Sequence, residues 1–403
     1  MIRSAVLLSA FAFAPAASGQ QVPQCTQPTG SDPNRAFPVC AVRPVITRGP
    51  YLSAPTDTSA TITWMTDIPS HSKVLYGAGG SLDKEQVPAR DGLTPVGTLH
   101  SVRLTGLQPG HTYHYRVVST PVLELNTYWP KKGQELQSET YTFTTFDRRK
   151  STTSFVSISD THESSARIDS IAQKIDWSKT EFLVHTGDAF NGVTSETQVW
   201  ESWLSPLIRG GLGPSKPLVF ARGNHDTRGP FARELARYVP IEEGRFYYTR
   251  DVGPVHLIVI DTGEDKHDST QVYARLNRME EYRAQELAWL RQHIGSSSRL
   301  REAPFRILVM HQPYWGWLGN DNTAARAAWT AAANHARVDL VIAGHRHRYS
   351  LTPAGSEQGY NYPILVVGQG QVAQVAVSAS EIRVTVTGKD GPVGALTIPR
   401  PPR

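Results

Sequence analysis

The chain has 403 residues, 39% of them hydrophobic and 19% charged, which fits two packed domains and excludes a disordered or fibrous chain. Its net charge of +5 is small for that length and forms no dense Lys/Arg block, so no nucleic-acid partner is expected. No stretch reaches transmembrane length, so no membrane span is expected either.

Residues 1–19 read as a signal peptide. Arg3 supplies the positive start, Ala5 to Pro15 a short apolar run, and Ala16-Ala17-Ser18-Gly19 small residues for cleavage. The mature protein is then expected to be periplasmic or secreted. Residues 20–43 are a Pro-rich lead-in holding both cysteines, Cys25 and Cys40. In an oxidising compartment these are expected to pair and close a short loop. A thiol metal site is disfavoured, because they stand far in sequence from the other ligand-type residues.

Residues 44–147 read as all-β. Ser59–Met65, Lys73–Gly77, Thr98–Leu104, His111–Val118 and Glu139–Thr145 are short alternating segments separated by turns, the pattern of a β-sandwich. Asp147-Arg148-Arg149-Lys150 is charged and marks a boundary. From 148 to 403 strands and helices alternate, which argues an α/β layered domain. Strands are expected at 154–158, 181–185, 218–220, 254–260, 306–310 and 338–342, and helices at 166–175, 196–208, 280–294 and 323–335. The tail from Pro363 to Pro399 is strand-like, with a hairpin turn at Lys389-Asp390-Gly391.

Five of these strands finish in residues that bind metals or move protons. They give Asp160-Thr161-His162, Gly187-Asp188, Gly223-Asn224-His225-Asp226, His311-Gln312-Pro313 and Gly344-His345-Arg346-His347. In a parallel-rich sheet such ends gather along one edge. Carboxylate and imidazole donors without thiolate suit Zn, Mn or Fe. A protein core does not collect this many polar groups at strand ends.

The ordered set D-x-H, G-D, G-N-H-D, H and G-H-x-H resembles the calcineurin-like metallophosphoesterase superfamily, over roughly the last 250 residues. The segment Leu104–Tyr115 resembles the corner of a fibronectin type III-like domain, and the whole sandwich resembles the N-terminal domain of purple acid phosphatases. The resemblance implies an α/β fold: an all-β sandwich followed by a four-layer α/β/β/α metallophosphoesterase domain. It implies two divalent or mixed-valence metal ions. Asp160, His162, Asp188 and His347 would hold one, and Asp188, Asn224, His311 and His345 the other. It implies metal-dependent hydrolysis of a small-molecule phosphate ester by hydroxide attack, with His225 as general acid. Asp226, next to His225 in the chain, is read as orienting it. Two departures from purple acid phosphatases stand out. Asn191 occupies the position of their metal-binding tyrosine, and His162 that of a glycine. The resemblance therefore implies no purple charge-transfer band.

Arg222, Arg346 and Tyr314 flank these blocks and are candidate substrate contacts, with pairing to a carboxylate, or loop packing for Tyr314, as the alternative. Lone histidines such as His185, His256 and His100 are read as structural, as is Asp261. Two competing functions stay open: a phosphodiesterase, and a non-catalytic protein that binds a surface through its sandwich.

Overall fold

The computed structural model describes residues 24–25, 39–240, 244–313, 323–355 and 359–402. The expected signal peptide lies outside the described residues, as does Tyr314 with its neighbours Trp315 and Trp317. Cys25 and Cys40 are joined in a disulfide. No helix of the described residues is long and apolar enough to cross a membrane.

Two sheets face each other in the C-terminal part. The first runs parallel through Thr153–Ile158, Phe182–His185 and Pro217–Phe220, with the antiparallel strands Val372–Val377, Glu381–Gly388 and Gly391–Pro399 on its outer side. The second runs parallel through Val255–Val259, Phe305–Val309, Leu340–Ala343 and Ile364–Val366, flanked by Tyr248–Val252 and Ser350–Thr352.

Each parallel strand is buried on both faces, which is why it reads as a continuous apolar run. Phe155, Phe182, Val184 and Val219 point between the sheets, where they meet Leu257, Val259, Ile307, Val309 and Ile342. Val156, Ile158, Leu183, Leu218 and Phe220 point the other way, against Ile168, Ile171, Trp200, Trp203 and Leu207. The outer face of the second sheet packs on the helices Met279–Ser296 and Thr323–His335 through Leu290, Ile294, Ala332 and Ala333. These are the four layers implied by the resemblance. The segment expected as one helix at 196–208 is helical from Glu196, capped by Ser195, with π turns at Trp200–Leu204 and Ile208–Leu212.

The sandwich closes around Trp64, Ile62, Val102, Leu104, Tyr113, Tyr115, Val117 and Phe143. Tyr113 anchors the turn before it by accepting the Gln108 backbone N–H at 2.9 Å. The two segments expected at 59–65 and 73–77 form one long strand, Ala60–Ala78. Its first half pairs with Gly97–Leu104 and its second with Thr112–Glu124. The exposed Pro69, which has no N–H to give, falls where the partner changes.

A strand the sequence reading missed, Ile46–Ser53, joins the two parts. It pairs antiparallel with Ala60–Ala78 on one side and parallel with Pro217–Phe220 on the other, so one sheet continues from the sandwich into the layered domain. Gly49-Pro50 in its middle hides it in the sequence. The Tyr115 hydroxyl adds to this junction by donating to the Pro214 carbonyl at 2.7 Å.

His100 lies in the sandwich core at 6% exposure, with its ring nitrogens 2.9 Å from Thr66 Oγ1 and 3.0 Å from Ser72 Oγ. Burial lowers its pKa from 6.5 to about 4. The unfolded chain therefore binds the extra proton first, and stability is full above pH 6.5 and falls as the pH drops towards 4. The loss from this residue should be about 3 kcal/mol. Denaturant unfolding at stepped pH should show this slope, and His100→Asn should flatten it. An equal slope in both proteins would contradict the assignment.

Candidate metal centre

The candidate residues reach one rim from both sheets. Asp160 and His162 follow Thr153–Ile158, Asp188 follows Phe182–His185, and Asn224 to Asp226 follow Pro217–Phe220. His311 follows Phe305–Val309, and His345 and His347 follow Leu340–Ala343, both in the opposing sheet. The sequence reading expected one sheet edge. Stacking two sheets instead brings donors onto the rim from opposite sides.

The loops are bent sharply to do this. Asp160, His162, Asp188, His345 and His347 all have positive φ, between 43° and 72°. Left-handed backbone in a non-glycine residue costs about 1–3 kcal/mol and persists only where surrounding bonds enforce it. Here they do. Asp160 N, His162 N and Glu163 N donate in turn to the carbonyls of Gly187, Asp188 and Ala189, which zips the first two loops together. Gly344 N donates to His311 O, and His345 N donates to Asp160 Oδ2 at 3.0 Å. Gly223 allows a close approach: a Cβ there would lie 2.2 Å from Asp188 N and from Asp188 Oδ1.

Two groups of donors result, each within 4.8 Å internally: Asp160, His162, Asp188 and His347, and Asp188, His311 and His345. Asp188 belongs to both. Asn224 stands beside the second, with its Oδ1 3.1 Å from His345 Nδ1. Asp188 Oδ2 lies 3.1 Å from His311 Nε2 and 3.9 Å from His162 Nε2. Asp160 Oδ1 lies 3.3 Å from His347 Nε2, and the Nε2 atoms of His162 and His347 are 3.1 Å apart. Asp160 Oδ1 and His311 Nε2 are buried and make no well-directed hydrogen bond. Buried donors crowded together in this way fit cations held between them.

The ionisation pattern says the same. Burial alone would raise the Asp188 carboxyl, but the facing His311 imidazole holds it well below the usual carboxylate range. Burial works against the His311 proton, but Asp188 pushes its pKa up to about 9. Burial lowers His345 to about 4, with His311 adding to the effect, and burial also lowers His162. The Asp160 carboxylate facing its ring raises His347. The carboxylates demand positive charge, which a proton on His311 supplies here and a metal ion would supply in its place.

His225 stands beside these groups, its ring edge-on to His162 at 5.2 Å between centroids. Its backbone N–H donates to Asp188 Oδ1 at 2.9 Å, and its Nδ1–H donates to the Asn191 carbonyl at 2.9 Å. Asp226 does not orient it. Both Asp226 oxygens are engaged by backbone N–H groups: Asp188 at 2.9 Å and Gly223 at 2.8 Å on Oδ2, and Phe190 at 3.2 Å on Oδ1. With no exposure, this carboxylate serves as a clamp that fixes the Asp188 loop against the Gly223 turn.

Arg222 is likewise corrected. Its guanidinium pairs with the buried Asp261 at 2.6 Å and lies over the Phe246 ring, so its charge is spent inside the fold. Arg346 is exposed between His345 and His347. Asn191 directs its side-chain amide to Glu163 rather than to the metal groups. His185 and His256 are structural, as read: His185 holds Thr161 and Gly187 N, and His256 sits between Asp251 and His293. Sequence reasoning missed Arg228, which touches His225, and Glu264, which holds Arg228. The only signal for Arg228 is its spacing three residues past His225.

Residues 153–349 match the family model of the calcineurin-like phosphoesterases, and residues 48–145 match that of the purple acid phosphatase N-terminal domain. Acid phosphatase type 7 of Homo sapiens is 26% identical over 270 residues, covering 64% of this chain and 56% of that protein. The chain thus spans little more than half of that relative's length. Purple acid phosphatase 23 of Arabidopsis thaliana is 22% identical over 365 residues, covering 74% of this chain and 72% of that one. The solved purple acid phosphatase PPD1 from yellow lupin (Lupinus luteus) superposes with a TM-score of 0.66 at 16% identity, over 89% of this chain and 74% of that one. At that identity the likeness speaks for the fold.

Gly223→Ala tests the closeness of the loops, because its methyl group would meet Asp188 backbone and carboxylate. Calorimetric titration with Mn or Zn should show affinity weakened at least about tenfold, with an unchanged circular dichroism spectrum. Unaltered affinity would contradict the geometry described.

Proposed function

Because this chain belongs to the calcineurin-like phosphoesterase family and carries a purple acid phosphatase N-terminal domain ahead of it, we propose that it is a secreted hydrolase of small phosphate esters working with two metal ions. One observation carries the reading: Asp188 belongs to both groups of metal-binding side chains. Two cations close enough to act on one phosphoryl group repel each other, and a shared carboxylate offsets that repulsion.

In this reading Asp160, His162, Asp188 and His347 hold the first ion, and Asp188, Asn224, His311 and His345 the second. Asn224 supplies an amide oxygen without adding charge, so the pair stays attractive to a phosphate anion. Oxygen and imidazole donors without sulfur suit Fe, Mn or Zn. When bound, the ions supply Lewis-acid stabilisation of phosphoryl charge and a readily ionised water. The chain supplies the rest. His225 is locked as the Nδ1–H tautomer by the Asn191 carbonyl, which leaves Nε2 to carry a proton to the leaving oxygen. Asp226 contributes indirectly, by fixing the loops that present Asp188 and Asn224.

Secretion is supported by the apolar N-terminal run and by the Cys25–Cys40 disulfide, which suits an oxidising compartment. The division into a sandwich at 44–147 and a catalytic domain at 148–403 belongs to this proposal. The non-catalytic alternative loses ground because Asp160, His162, Asp188, Asn224, His311, His345 and His347 are all present, although Asn191 replaces the tyrosine of purple acid phosphatases. Asn191 offers no phenolate, so an iron-loaded form is colourless in the visible charge-transfer region.

Elemental analysis of the purified protein, together with hydrolysis of an aryl phosphate monoester and diester under Fe, Mn and Zn, tests the reading. Asp188→Ala should lose metal and turnover together. His225→Ala should keep the metal and lose roughly 10²–10⁴-fold in rate. Metal-loaded protein without phosphoesterase activity, or a His225→Ala variant as active as the parent, would overturn it.

A further inference from the structure

Beside His225 lies a second cation that no role above uses. Arg228 follows the short 3-10 turn His225–Thr227, and its backbone N–H donates to His225 O at 3.2 Å. The guanidinium is gripped on one edge. Nε donates to Glu264 Oε1 at 2.8 Å and one terminal nitrogen to Glu264 Oε2 at 2.7 Å, a two-pronged pair. The same terminal nitrogen reaches Asp265 Oδ1 at 2.9 Å.

Glu264 has no solvent exposure, and its oxygens also receive Thr227 Oγ1 at 3.1 Å and the Tyr273 hydroxyl at 2.7 Å. The group that aims Arg228 is therefore itself fixed from several sides. Burying a carboxylate to hold an arginine is costly unless the geometry is fully satisfied, and on this edge it is.

The other edge differs. The remaining terminal nitrogen, Nη1, has no oxygen acceptor among the described residues. It lies almost equally far from the two ring nitrogens of His225, 3.3 Å from Nδ1 and 3.2 Å from Nε2, which places it over the imidazole ring. Since Nδ1–H is committed to the Asn191 carbonyl, a phosphoryl group with one oxygen bonded to Nε2 would bring a second oxygen toward this guanidinium nitrogen. The Arg228 side chain is 27% exposed, so it is not sealed from solvent. Asp265 also accepts from Lys266 at 2.6 Å, so two carboxylates balance two cations here. The cluster has no net charge with which to attract a distant anion. What it offers is a directed donor at contact range, and a planar guanidinium suits a phosphoryl oxygen better than an ammonium does.

We propose that Arg228 is the phosphoryl-binding arginine of this site, the guanidinium nitrogen that faces His225 meeting a substrate oxygen alongside His225 Nε2, with Glu264 as the residue that positions it. The proposal rests on the phosphoesterase reading and names the contact that the flanking Arg222, paired with Asp261, does not provide.

The test uses the full chain loaded with metal, inorganic phosphate as a competitive inhibitor and an aryl phosphate as substrate. Arg228→Ala should raise the phosphate inhibition constant and KM by about tenfold to a hundredfold, the scale of a lost hydrogen bond to a charged group. Metal content should be unchanged, and millimolar guanidinium ion should restore part of the loss. Arg228→Lys keeps the charge without the fork and should stay impaired. Should Arg228→Ala lose its metal, Arg228→Lys is read alone. A phosphate inhibition constant within about twofold of the parent, in a variant that retains metal, overturns the proposal while leaving the phosphoesterase reading intact. A metal-loaded parent that neither binds phosphate nor hydrolyses any ester overturns both.

Discussion

The Asp188 carboxylate is the interaction on which the rest of the site depends. It is buried, left-handed in its backbone and shared by two groups of donors. None of these is favourable alone. Burial penalises its charge, the backbone stores strain, and a shared carboxylate must sit where two imidazole groups converge. The surrounding chain answers each demand. Asp226 takes the Asp188 N–H and ties it to the Gly223 turn, the His225 N–H caps Asp188 Oδ1, and His311 faces Oδ2. Gly223 lets the two loops close to a distance at which no other residue fits.

This arrangement explains why the fold has two sheets. Adjacent parallel strands in one sheet place their ends in a row, which serves a groove. Enclosing a cation requires donors from several directions. The first sheet supplies Asp160, His162, Asp188 and Asn224, and the second supplies His311, His345 and His347 across the shared core. The core between the sheets is thus part of the site's rigidity, since a shift of one sheet would separate Asp188 from His311. The sandwich bears on the same frame, because Ile46–Ser53 extends the first sheet beside Pro217–Phe220, the strand that leads into Asn224.

The candidate ligand blocks were legible in the sequence because each polar group follows a buried apolar run, a juxtaposition that packing alone does not produce. The layered fold was legible for the same reason. What stayed hidden depends on contacts distant in sequence. Asp226 adjoins His225 in the chain, yet its bonds go to Asp188 and Phe190 in another loop. Arg222 looked available until the fold delivered Asp261 to it. Arg228 gains significance only from Glu264, and nothing local ties the two together. Ile46–Ser53 was concealed by a Gly-Pro pair, and Pro69 split a continuous strand into two apparent ones.

The claim at the centre of this account is that Asp188 joins two metal ions. The most direct measurement is anomalous diffraction from crystals of the protein loaded with manganese. The account predicts two peaks about 3.5–4 Å apart, one among Asp160, His162 and His347, the other among Asn224, His311 and His345, with the Asp188 carboxylate between them. A single peak at full loading, or two peaks of which only one touches Asp188, would contradict it.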